Sequence, residues 1–362
     1  MGGSPQAPHS HLIHCCASGE TKAKGDQQPQ SGITASMLLV TGGAGFIGSN
    51  MVASLNEAGR ADIAVSDVLG SDTKWRNLAG RQLADFVPPA ELMPWLDGRK
   101  LDAVIHFGAI SSTTATDADD VMETNFRLSL RLLDWCVATQ TPFIYASSAA
   151  TYGNGEAGFT DDYSLAALKR LKPMNLYGWS KHLFDLAVVE RAARKDKLPP
   201  QWVGLKFFNV FGPNEYHKGE MMSLVAKRFA DAKAGRPVRL FKSYRSGIGD
   251  GEQTRDFIYV EDAISVVHWL LDTPSVSGIF NVGTGKARSF RDLITAMFTA
   301  LGREPMIEYI EMPESIRDSY QYFTQAQMEN LRQAGFNAAF ATLEQGVTRY
   351  VKSYLDRREH YR

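Results

Sequence analysis

Met37-Leu-Leu-Val-Thr-Gly-Gly-Ala-Gly-Phe-Ile-Gly48 is the stretch that decides the fold. Met37 to Thr41 is a short apolar run of the kind that forms a strand buried on both faces. Gly42, Gly45 and Gly48 follow at three-residue spacing, and the pattern from Phe46 to about Ala58 predicts a helix closed by Gly59. Between a strand and a helix, such a triplet brings bare backbone against a pyrophosphate. The first glycine makes the tight turn, the second lets phosphate lie on the main chain, and the third lets helix and strand pack closely. The helix start adds unpaired N–H groups and the positive end of its dipole. Phe46 and Ile47, in its first turn, count among the predicted cofactor contacts.

Outward from this unit the alternation continues. Strands are predicted at Ile63–Ser66, Leu101–Phe107, Pro142–Ser147 and Val203–Asn209, with helices at Met122–Ala138 and Tyr177–Arg194. Repeated β-α-β units require right-handed crossovers and a mostly parallel sheet. Beyond Gly212 the pattern mixes short strands near Arg239, Phe257 and Phe280 with helices near Val225, Ile264, Leu293 and Leu343. The predicted class is α/β, a Rossmann-type doubly wound parallel sheet with a smaller C-terminal α/β substrate lobe. Residues 37–211 form the dinucleotide-binding core, and 212–362 mainly the lobe, interwoven with it. Residues 1–36, rich in Gly, Pro, Ser, Gln and His and without apolar period, read as a disordered leader.

Composition narrows the function. The 362 residues carry 39 basic and 40 acidic side chains, so no basic field recruits nucleic acid or an anionic membrane. No apolar run approaches the roughly 18 residues of a membrane span. Three cysteines, two of them adjacent at Cys15 and Cys16, make no disulfide framework and point to a reducing, cytoplasmic setting. His9, His11, His14, Cys15 and Cys16 match no standard zinc spacing, so no metal is expected.

Asp67, at the end of the second strand, is placed to accept hydrogen bonds from an adenosine ribose, which favours NAD; Val68 follows it. Lys74, in the loop beyond, reads either as a solvated lysine or as the partner of a 2′-phosphate. Gly108, Ala109 and Ser111 after the third strand bring backbone near the cofactor, and Asn125 in the next helix is either a polar anchor behind it or a surface asparagine. Tyr177-Gly-Trp-Ser-Lys181 puts a phenol and an ammonium on one helix face, one turn apart. A nearby ammonium and a nicotinamide cation both favour the phenolate, bringing a base with pKa near 10 into working range. Ser148, in Tyr145-Ala-Ser-Ser148, is placed to hold the reacting oxygen against that phenol.

Together the glycine triplet, Asp67, Ser148, Tyr177 and Lys181 resemble the extended short-chain dehydrogenases/reductases, the sugar-nucleotide epimerases and dehydratases, from Met37 to the C-terminus. His106–Thr114, Ala146–Gly153, Phe207–Gly219, Arg255–Val260 and Tyr320–Thr324 are similar to the branch that epimerises an ADP-linked manno-heptose at C6″ for lipopolysaccharide core synthesis. The resemblance implies one tightly bound NADP per subunit despite Asp67, with Lys74 on its 2′-phosphate, and a homo-oligomer, a pentamer in the family. It gives Lys218 the second proton carrier, beside His217, and assigns substrate contacts to Asn209, Phe241, Arg255 and Tyr320. Independently, Ala149 and Ala150 stand where dehydratases place acidic groups, and neither can transfer a proton. Two other readings stay open: a 4-epimerase of another nucleotide sugar, and a non-catalytic NADP-binding sensor.

Overall fold

The computed structural model describes residues 1–2, 37–317 and 320–362. The predicted leader, with its histidines and its cysteine pair, lies outside the described residues apart from Met1 and Gly2. Seven strands form the main sheet: β1 (Leu38–Thr41), β2 (Ile63–Ser66), β3 (Asp85–Val87), β4 (Ala103–His106), β5 (Phe143–Ser148), β6 (Trp202–Phe207) and, from far along the chain, β10 (Gly278–Val282). Their order is β10-β6-β5-β4-β1-β2-β3, and every pairing is parallel. This is the α/β class of the sequence reading.

The strands are continuous apolar runs because both faces are covered. Leu38, Val40, Ile63, Val65, Ala103 and Ile105 feed one core, while Leu39, Ala64, Val104, Phe143 and Tyr145 feed the other. The order in which successive strands are added switches sides between β1 and β4, and in such sheets the crevice beyond the strand ends at that point is where ligands sit.

Two smaller sheets stand beside the main one. β7 (Asn209–Phe211), β9 (Thr254–Tyr259) and β11 (Ala287–Ser289) make one, and β8 (Val238–Phe241) with β12 (Ile307–Ile310) makes the other. The strand expected near Phe280 therefore does not belong to them: β10 pairs in parallel with β6 and extends the main sheet. The helix Val260–Leu271 likewise packs against the helix Phe46–Glu57 of the first unit. Among the described residues, no helix is long and apolar enough to cross a membrane.

Candidate active site

The glycine turn is dictated by contact. Gly42 adopts φ +68°, and a Cβ there would lie 2.6 Å from the Gly108 amide nitrogen. A Cβ at Gly48 would lie 2.1 Å from the Gly42 carbonyl oxygen. Both are far below van der Waals contact, so the ends of β1 and β4 and the start of the helix Phe46–Glu57 close together only through glycine. Below them the Thr41 hydroxyl accepts from the Gly108 amide at 3.1 Å and shares a 2.6 Å hydrogen bond with His106 Nδ1. Ser129 meets the other ring nitrogen at 2.8 Å. Burial, helped by the nearby Lys181 charge, takes His106 down to about 3, so this support stays uncharged.

At the end of β2, Asp67 accepts from the Ala44 amide at 2.9 Å, and Lys74 donates to its other oxygen at 2.6 Å. Lys74 also reaches the Val68 carbonyl at 2.9 Å. The lysine is thus not a free surface group. Val68 is 63% exposed and contributes main chain only. Asn125 is fully buried in a π-helical turn, Glu123–Arg127, a distortion that clusters at functional sites. Its amide pairs with both main-chain groups of Ile110 and donates to Ser180 Oγ at 2.9 Å, while Ser180 donates to the Tyr177 carbonyl at 2.8 Å. It ties the loop after β4 to the helix that carries Tyr177 and Lys181 and does not line the cavity.

One cavity of about 980 Å³ joins these parts. Gly42, Gly45, Phe46, Ile47, Gly48, Asp67, Lys74, Gly108, Ala109 and Ser111 line it from one side of the chain order, and Ser148, Tyr177, Lys181, Asn209, His217, Lys218, Phe241 and Tyr320 from later elements. The helix Leu176–Ala193 starts at Asn175, whose side chain accepts from the Gly178 amide, so Tyr177 and Lys181 occupy its first two turns. Gly178 lets this helix seat on the Ala149–Tyr152 turn: a Cβ would stand 2.7 Å from the Ala150 carbonyl oxygen.

Electrostatics differ from the sequence expectation in one respect. Burial raises the Tyr177 phenol above its ordinary value, opposed by a hydrogen bond from Ser148 and reinforced by Asp185. In the protein alone, desolvation outweighs any help from the ammonium. Lys181 is buried and falls to about 8, with Asp185 working against that fall. Asp185 is itself fully buried, accepting from Tyr145 at 3.1 Å and Ser147 at 2.7 Å and pairing with Lys206 at 3.1 Å.

Lys218 stands 5.2 Å from the centre of the Phe46 ring, and burial lowers it from the ordinary lysine value against the pull of Glu215. His217 is also lowered by burial, and its Nδ1 lies 3.3 Å from the Asn77 amide nitrogen. Arg255 is 8% exposed, its guanidinium 5.5 Å from both the Phe290 and Tyr320 rings and its Nη1 donating to the Thr254 carbonyl at 2.8 Å. It does not line the cavity itself but backs Tyr320, which does. Sequence reasoning missed Asn77, Asn214 and Asn50, which carry long-range hydrogen bonds with no local pattern to announce them. It also missed Lys227, Arg228 and Arg239, three cations on the cavity wall. Among the described residues, no cluster of His, Cys, Asp or Glu could hold a metal ion.

The glycine cradle, the acid–lysine pair at the end of β2 and the Ser–Tyr–Lys group around one cavity define a nucleotide-sugar redox enzyme fold. Residues 38–283 match the NAD dependent epimerase/dehydratase family, and the chain belongs to that family. A relative from Nitratidesulfovibrio vulgaris, named ADP-L-glycero-D-manno-heptose-6-epimerase, is 52% identical over 327 residues, covering 88% of this chain and 98% of the relative. The crystal structure of the Helicobacter pylori enzyme of that name superposes with TM-score 0.73 at 30% identity, covering 88% of this chain and 96% of the other. Thermus thermophilus UDP-glucose 4-epimerase, solved in complex with NAD, gives TM-score 0.67 at 25% identity, covering 87% and 97%.

Proposed function

We propose that this protein interconverts the C6″ epimers of ADP-linked glycero-manno-heptose, for lipopolysaccharide core synthesis, with one tightly bound NADP per subunit. The observation that carries the reading is that two separate proton carriers, Tyr177 and Lys218, line one cavity whose dehydratase positions are Ala149 and Ala150. The residues present fit a dinucleotide, since the cradle at Gly42 and Gly48 excludes side chains and leaves main chain for a pyrophosphate. When bound, the nicotinamide supplies a reversible hydride acceptor. The Lys74–Asp67 pair supports the NADP preference: the ammonium at 2.6 Å compensates a carboxylate that would otherwise repel a 2′-phosphate.

Tyr177, held by Ser148 and favoured as the phenolate by the Lys181 ammonium, takes the C6″ hydroxyl proton and becomes the neutral phenol. The sugar becomes a 6″-ketone, turns in the cavity and is reduced on its other face. Lys218 then delivers the proton. Burial lowers its affinity for that proton, which favours release to the sugar. Arg255, behind Tyr320, supplies positive charge towards the substrate diphosphate, and Asn209, Phe241 and Tyr320 shape the sugar and nucleotide ends. The pentameric assembly and cytoplasmic setting belong to the same reading.

The test is to incubate purified protein with ADP-D-glycero-D-manno-heptose without added reductant. Formation of the L-glycero epimer is expected, with deuterium at C6″ retained in product. Tyr177→Phe should lower turnover by roughly 10²–10⁴-fold, the scale of a lost general base. No epimer from wild-type protein with intact cofactor, or label lost to solvent, would overturn the reading. Mass identification of the co-purifying nucleotide decides between NADP and NAD. A 4-epimerase using Tyr177 alone would tolerate Lys218→Met; the heptose reading requires that it does not.

A further inference from the structure

The loop that carries Lys218 is held from within by buried Glu215, which accepts from the Ser223 amide at 2.6 Å and the Ser223 hydroxyl at 2.7 Å, and also from distant parts of the chain. Its conformation rests on Asn214, a non-glycine residue at φ +71° that is fully buried. Such a backbone persists only where the surroundings hold it. Asn214 Nδ2 donates to Ser49 Oγ at 3.0 Å, and its carbonyl accepts from the Asn77 amide at 3.2 Å. Its remaining side-chain contacts go to the far end of the chain: Oδ1 accepts from the Arg362 amide at 2.8 Å, and Nδ2 donates to the Arg362 carbonyl at 3.4 Å.

The same tail grips the neighbouring elements. Tyr216 Oη donates to the His360 carbonyl at 2.7 Å, with both the His360 and Tyr361 rings set edge-on to it at 4.9 and 5.2 Å. The Arg362 guanidinium donates to Glu57 at 2.7 Å and to Asn50 Oδ1 at 3.3 Å, and stands 3.9 Å from Glu261. Asn50, fully buried, spends its own amide on the Phe46 carbonyl and the Pro213 carbonyl, both at 2.9 Å. One arginine therefore touches, at one point, the end of the helix Phe46–Glu57, the bridge from that helix to Pro213, and the residue two before Tyr216. Two residues beyond Tyr216 the chain presents Lys218 over the Phe46 ring.

We infer that Arg362 and the 360–362 tail are positioning elements for Lys218, clamping the 212–218 loop against the helix Phe46–Glu57 so that the ammonium is held at the cavity wall. The inference deepens the proposed reaction and rests on it for its catalytic readout. The role is in positioning, since nothing in the tail lines the cavity. A clamp of this kind acts on one half of the reaction: proton handling at Tyr177 is untouched, and delivery from Lys218 becomes slow.

The experiment compares holoenzyme with Arg362→Ala and Arg362→Lys, each checked for an unchanged thermal transition of the rest of the molecule. In Arg362→Ala, amide hydrogen exchange over residues 212–218 should accelerate while exchange in the helix 176–193 stays put. Turnover of the heptose should fall by up to roughly 10²-fold, the scale of a displaced reacting group, with KM within about threefold. Mixed with substrate, the variant should hold more reduced nicotinamide at steady state than wild type, because the sugar is oxidised normally and reprotonated poorly. Arg362→Lys, which keeps the charge beside Glu57, should recover part of the rate. Added to Lys218→Met, Arg362→Ala should cost nothing further, because both act on one step.

Equal loss of cofactor reduction and of epimer formation, or additive effects with Lys218→Met, would overturn the positioning role. So would unchanged exchange over 212–218. If wild-type protein does not act on the heptose at all, the function proposed above fails, and the exchange measurement still decides whether the tail holds the loop.

Discussion

Two fully buried polar groups set the electrostatics under the cavity. Asp185, on the helix Leu176–Ala193, pairs with Lys206 at 3.1 Å, and Lys206 is further held by Thr151 at 2.7 Å. Removing one partner would strand the other's charge in the interior. His106 is the simpler case, because its ring is satisfied on both nitrogens only by hydroxyls and it stays neutral down to about 3, against an ordinary 6.5. Its folded-state affinity for a proton is depressed, so between pH 6.5 and 3 the unfolded chain binds a proton that the folded chain refuses. Stability from this residue is complete above pH 6.5 and is lost as pH falls towards 3, at about 1.4 kcal/mol per pH unit. His106→Asn should be less stable at pH 7 but should show a shallower loss of stability on acidification. Denaturant unfolding of both proteins at pH 7, 6 and 5 measures the difference; parallel slopes would refute it.

Among the elements, the helix Phe46–Glu57 is the one on which the site turns. It brings Gly48 against Gly42, Phe46 against Lys218, and Ser49 and Asn50 against the 213–214 segment. Its seating is governed by one missing side chain. Gly48→Ala would place a methyl 2.1 Å from a main-chain oxygen that has no room to retreat, so the helix must lift away from β1. Expected are a destabilisation of about 1–3 kcal/mol, the usual cost of overpacking, and loss of co-purifying dinucleotide. Thermal unfolding and absorbance of the purified variant would show both; retained cofactor at wild-type stoichiometry would contradict the account.

This helix and the strands around it were readable from the chain because their demands are local: apolar runs for strands covered on both faces, glycines at fixed spacing, Tyr and Lys one turn apart. β3, β11 and β12 were not, being three or four residues long and only partly buried, with no run to mark them. Asn50, Asn77 and Asn214 escaped for a different reason. Each acts through partners more than 130 residues away, and an asparagine gives no periodic signal of such a contact. The phenol of Tyr177 shows the same limit: its neighbours were legible, but the desolvation that raises it was not.

At the scale of the whole molecule, the question is whether residues 37–211, the half expected from the sequence to bind the dinucleotide, fold as a unit. The described residues from Met37 onwards form one compact unit. Within it the sheet is completed from outside the half: β10 supplies the seventh strand through five paired residues on β6, and the helix Val260–Leu271 covers the helix Phe46–Glu57. Cutting the chain after Phe211 would expose the edge of β6, whose Val203, Leu205 and Phe207 are buried, and would uncover one face of the first helix. An unpaired apolar edge of that kind invites association with other chains. A fragment of residues 37–211 should therefore aggregate, or bind hydrophobic dyes without a cooperative thermal transition. The chain from Ser36 onwards should unfold in a single transition, at a temperature raised by bound dinucleotide according to its concentration. Calorimetry of the two proteins decides: a sharp, reversible transition in the fragment would show that the glycine-triplet half holds its own sheet, and that β10 is an addition to it.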